Sequence, residues 1–141
     1  MVQIIAGQKG KGKTKILINK VNDEVKSSAG SIVYLDKSIK HMYELSNKIR
    51  LINVRDFLIT NYNEFLGFVC GIISQDRDLE CIYLDSFLKI ANINEKDIGN
   101  VLDKLTKISE QFKIDFVISI SINPDHLPEE YKDNLSRNLI A

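Results

Sequence analysis

Five short apolar runs, rich in β-branched residues, punctuate the chain: VQIIA (2–6), SIVYLD (31–36), RLINV (50–54), CIYLD (81–85) and DFVISISI (115–122). They are nearly continuous rather than alternating, so a strand built from any of them has no polar face and must be covered on both sides. Between them the spacing turns helical. Ile16, Leu17, Val21 and Val25 predict a helix near 13–27 with its lysines outward, and SIKHMYEL (38–45) predicts a short helix. In 60–73, Asn61 and Glu64 have the spacing of an N-cap and its acidic partner, and Gly67 and Gly71, four apart, predict close packing of helix on sheet. The stretch 94–112 sets Ile98, Val101, Leu102, Leu105 and Ile108 along one side. Strand and helix alternating in this way predict an α/β fold. The expected form is a single-domain three-layer α/β/α sandwich around a mostly parallel five-stranded sheet, with helices on both faces. No repeat, linker or shift of composition divides the 141 residues, a length that suits one core.

Composition narrows the function classes. The hydrophobic and charged fractions, 44% and 27%, are those of globular domains and exclude disordered and collagen-like classes. Nineteen basic residues balance nineteen acidic ones, so no global field draws the chain to nucleic acid or an anionic membrane, although a local basic patch stays open. Cys70 and Cys81 both sit in apolar runs, which predicts two buried thiols in a reducing compartment. A disulfide or metal pair is the minor reading, since no histidine or further cysteine stands at ligand spacing. The opening VQIIAG is too short for a signal-peptide core and no apolar run reaches membrane-spanning length, so a cytoplasmic protein away from membranes is expected. His41 and His126 have no triad partners in pattern and read as surface residues.

Chemistry concentrates near the N-terminus. Gly7-Gln8-Lys9-Gly10-Lys11-Gly12-Lys13-Thr14 matches G-x-x-x-x-G-K-[ST], the P-loop or Walker A pattern, with an apolar strand running in and an amphipathic helix running out. Glycines let the backbone turn tightly and aim successive N–H groups at phosphate oxygens, and the helix N-terminus adds its positive end. The segment Gly7 to Lys15 is therefore the candidate nucleotide-binding stretch. Lys13 would reach the β- and γ-phosphates, and Thr14 would offer its hydroxyl to Mg²⁺. Lys9 and Lys11 either stand solvated on the outer edge of the loop or add charge near the γ-phosphate. A second metal-side group is expected at the end of a buried strand. Asp85, after Cys81-Ile82-Tyr83-Leu84, is a Walker B candidate that would hold a water on the metal.

On these residues the chain resembles the P-loop NTPase superfamily and, more narrowly, its RecA-like branch. It is also similar to small bacterial ATP-binding proteins of this length, some named after twitching-motility ATPases. In RecA-like ATPases a strand of the type in IVYLDKS (32–38) often ends in a water-activating glutamate; here Ser38 holds that position and Asp36 is the nearest carboxylate, hence the candidate base. Ser86 follows Asp85 where related NTPases place a catalytic glutamate. A γ-phosphate sensor at the end of the last strand falls to Ser121 or Asn123, with a plain polar turn ahead of Pro124 as the alternative. No guanine-reading N-K-x-D occurs, and the four arginines, Arg50, Arg55, Arg77 and Arg137, form no lid. The resemblance thus implies ATP and Mg²⁺ as cofactors, with Lys13 and Asp36 as catalytic groups. It further implies slow hydrolysis that needs a protein partner or second copy supplying an arginine or base in trans. The alternatives are a nucleotide-gated binding module without chemistry and a small-molecule kinase.

Overall fold

In the computed structural model, which describes residues 1–10 and 12–135, the first and last strands are hydrogen-bonded neighbours. Lys11 and Arg137 lie outside the described residues. In chain order the elements are β1 (Val2–Ala6), α1 (Lys13–Ser27), β2 (Ser31–Asp36), β3 (Ile49–Asn53), α2 (Tyr62–Ser74), β4 (Leu79–Leu84), α3 (Phe87–Ile90), α4 (Ile98–Phe112) and β5 (Asp115–Ile120), joined by loops with short 3₁₀ turns. The sheet order is β1-β5-β4-β2-β3 and every pair is parallel. A parallel sheet puts all strand C-termini on one edge, and the loops that leave them meet there. The register pairs Ala6 with Ile120, Leu84 with Ile118, and Leu35 with Leu84. Gly7, Asp36, Asp85 and Ser121, the next residues along each strand, therefore gather on that edge.

Each strand divides its side chains between two cores, as a period of two requires. From β4, Cys81 and Tyr83 join Leu17, Ile18 and Val21 of α1, while Ile82 and Leu84 join Phe65 and Val69 of α2 and Val101 and Leu105 of α4. All these residues are buried, which explains the continuous apolar runs. Among the described residues no helix is long and apolar enough to cross a membrane.

Three expectations are corrected. Residues 38–45 form only a 3₁₀ turn, Met42–Glu44. Ile39, Met42 and Tyr43 are exposed there and only Leu45 is buried, so a helix would have one apolar anchor rather than a face to bury. Asn22 of α1 holds the stretch as a loop, donating to the Glu44 carbonyl at 2.8 Å and accepting from the Ser46 N–H at 2.9 Å. Gly67 and Gly71 do not pack on the sheet. They are exposed, and a Cβ on either would meet no atom within 4 Å. Cys70 shares that outward stripe and is exposed, so only Cys81 is a buried thiol; burial, then Glu24, pushes its pKa up. The predicted cap of α2 forms, with Asn61 accepting the Glu64 N–H at 2.9 Å, although the Glu64 carboxylate turns to the N–H and hydroxyl of Thr60.

Candidate functional site

The loop between β1 and α1 is pinned at its start, where the Gly7 N–H donates to the Ile120 carbonyl of β5 at 3.3 Å. It then turns through two left-handed positions, Gly10 (φ 86°) and Gly12 (φ 78°). Open space surrounds both, so conformation rather than crowding calls for glycine. Gly12 is the N-cap of α1 and puts no side-chain cap over the first-turn N–H groups, the backbone donors that a helix start offers to an anion. Lys13, the first helical residue, is 8% exposed and its Nζ donates to the Gln8 carbonyl at 2.9 Å, bridging the loop from below. Burial holds its pKa below the ordinary lysine value, with Asp85 pulling the other way.

Asp85 is the hub of the site. It is 2% exposed and accepts three hydroxyls: Thr14 Oγ1 at 3.3 Å, Ser119 Oγ at 2.7 Å and Tyr34 Oη at 2.8 Å. Ser119 Oγ in turn accepts the Ser86 N–H at 2.9 Å, and Ser86 sits in the left-handed region (φ 57°) at the start of α3. A non-glycine residue held there is a local cost tolerated where the surroundings fix it. Hydrogen bonds from three elements thus set the carboxylate's rotamer.

These groups open on a cavity of about 520 Å³ whose wall includes Lys9, Gly10, Gly12, Lys13, Thr14, Asp85, Ser119 and Ser121. The structure therefore brings most of the expected site residues together. Gln8 contributes its carbonyl to Lys13, and Lys15 faces a neighbouring cavity that shares Thr14 and His41 with this one. Asn123 does not join, because its side chain accepts the Asp125 N–H at 2.9 Å and caps the 3₁₀ turn Pro124–His126. His41, read as a surface residue, lines the cavity and pairs with Glu44. Sequence reasoning missed Tyr34, Ser119, Lys37, Lys40 and Lys89. The available signals were weak: Ser119 precedes Ser121 by the two-residue period of a strand, and Lys37 directly follows the expected carboxylate.

Thr14 and Asp85 are hard oxygen donors, as Mg²⁺ prefers, and two protein ligands fit an ion that brings waters and phosphate oxygens with it. Among the described residues no group of three or more His, Cys, Asp or Glu side chains could hold a metal on its own. The donor set thus suits a metal carried in on a phosphate chain.

Asp36 lies beneath the cavity wall rather than in it. It is 3% exposed, its Oδ1 accepts the Lys37 N–H at 2.7 Å, and its buried Oδ2 has no partner among the described residues. Burial first and the neighbouring Asp85 second raise its pKa. A carboxyl that holds its proton more tightly folded than unfolded makes stability fall as pH rises from the unfolded value through the folded one. The loss persists at neutral pH. Asp36→Asn is therefore expected to raise the melting temperature at pH 7, with the gap closing below the ordinary aspartate pKa of about 4. A lower melting temperature for the variant at pH 7 would contradict this account of the buried carboxyl.

Comparison with known proteins adds the fold. No family model and no curated protein matches the chain. Among solved structures it is similar to the flagellar accessory protein FlaH from Methanocaldococcus jannaschii, with a TM-score of 0.58 at 17% identity over 92% of this chain. The chain spans 63% of the length of that structure. The likeness is one of fold, an α/β architecture that in this chain is a five-stranded parallel sheet flanked by helices.

Proposed function

We propose that the chain is a P-loop protein of the RecA-like branch that binds ATP with Mg²⁺ and hydrolyses it slowly. The observation that carries this reading is the 3.3 Å contact between Thr14 and Asp85 at the mouth of the glycine loop. Two residues 71 positions apart meet where a phosphate-borne cation would need oxygen ligands. The backbone N–H groups of the loop and Lys13 would hold the phosphates, and the bound Mg²⁺ would neutralise charge developing on the transferred group. Ser121, on the cavity wall, is the better placed of the two sensor candidates.

Slow turnover follows from the absence of a carboxylate at Ser38 and Ser86 and from the recessed position of Asp36. Full activity would then require a partner or second copy of the chain that completes the site. The same observation favours a second reading, a nucleotide-gated module that exchanges partners without chemistry; transfer to a small acceptor has no comparable support. Phosphate release from Mg·ATP separates the first two. The isolated protein is expected to turn over on the order of 10⁻³ s⁻¹, as unassisted NTPases do. Release no greater than that of Lys13→Ala selects the module, and a rate on the order of 10 s⁻¹ sinks the need for a partner.

A further inference from the structure

In a chain whose charges balance overall, the cavity wall gathers, among the described residues, five lysines, Lys9, Lys13, Lys37, Lys40 and Lys89, against a single carboxylate, Asp85. None of the ion pairs among the described residues engages Lys9, Lys37, Lys40 or Lys89. Lys89 stands close enough to Lys37 and Lys9 for their repulsion to lower its pKa. Like charges assembled with fewer counter-ions than charges cost free energy that a bound anion recovers.

The sheet order says where on that anion they would act. Lys37 is the first residue after β2, and Lys89 lies on α3, four residues beyond Asp85 at the end of β4. Strands β2 and β4 are neighbours. A phosphate chain seated in the glycine loop would have its metal-bearing end at Thr14 and Asp85. Lys37 follows β2, on the side of β4 away from β1, and Lys89 on the same wall is close to both Lys37 and Lys9 of the loop.

We propose that Lys37 and Lys89 form a pair in cis that grips the terminal phosphate and makes the cavity select a nucleoside triphosphate over a diphosphate. The inference rests on the nucleotide reading above and deepens it. The positive charge that a partner's arginine would bring is then already present, and what remains for a partner to supply is the water-activating base.

The test titrates Mg·ATP and Mg·ADP calorimetrically into the parent, Lys37→Ala, Lys89→Ala and the double variant, with melting curves alongside. Lys89 is exposed and Lys37 half-buried at the surface, so all four proteins are expected to melt together. Charge-assisted contacts to one phosphate predict a parent preference for ATP of ~10-fold or more. In the double variant they predict a ~10- to 100-fold loss of ATP affinity with ADP affinity held within about threefold. Equal losses for both nucleotides, or no loss for either, overturn the specificity pair while leaving nucleotide binding intact. A parent that binds neither nucleotide overturns the nucleotide reading itself, and this inference with it.

Discussion

Replacing Lys13 by alanine is expected to weaken Mg·ATP binding about 100-fold, the scale of a lost charge-assisted contact to phosphate in a partly desolvated site, while the protein still folds. Lys13 is an unusual lysine: 8% exposed, with its ammonium bonded to a backbone carbonyl of the loop it would serve. Burial there lowers its pKa, the environment of a lysine placed at a site rather than on an open surface. Truncation removes that desolvated charge and leaves the Gln8 carbonyl on an exposed turn, where water can replace the lost donor. The melting temperature should therefore stay close to the parent's. Equal Mg·ATP affinity for variant and parent would remove the main support for the loop as a phosphate site.

Asp85→Asn is expected to abolish the metal-dependent part of binding. An amide of the same shape keeps the core intact, and the hydroxyls of Thr14, Tyr34 and Ser119 can reorient around it. What it lacks is the charge that attracts a divalent cation to the Thr14 side of the cavity. ATP affinity in the parent should rise about tenfold or more on adding Mg²⁺, and that gain should fall to about twofold or less in the variant. With the metal chelated, the two proteins should bind ATP alike or the variant slightly better. Matched losses with and without Mg²⁺ would instead make Asp85 a structural hub for the three hydroxyls, without a metal role.

The sheet was legible because parallel strands covered on both faces leave continuous apolar runs, and each run corresponds to a strand within two residues of its observed ends. Helices were legible where a long apolar stripe is buried, as on α1 and α4, whereas the four-residue α3, which buries Phe87 and Ile90, is too short to show a period. Spacing alone failed where it carries no direction. Gly67 and Gly71 share one stripe of α2, and nothing in their separation tells whether that stripe faces the sheet or water. In 38–45 the apolar residues Ile39, Met42 and Tyr43 look helical but stay exposed on a loop held by Asn22.

The candidate site divides along similar lines. The glycine loop is local in sequence, and so was its pattern. The supports of Asp85 are not: Tyr34 and Ser119 lie 51 and 34 residues away and reach it because β2 and β5 flank β4. Alternation of strands and helices does not reveal that order. The lysines at 37 and 89 escaped notice for the same reason, since each is unremarkable until adjacent strands bring them to one wall.

The most direct measurement is a calorimetric titration of Mg·ATP into the unmodified protein, repeated after chelating the metal. One site per chain with micromolar affinity, on the order of −8 kcal/mol, and weaker binding without Mg²⁺ is the expected result. No binding at millimolar Mg·ATP would contradict the account, however well the loop matches its pattern.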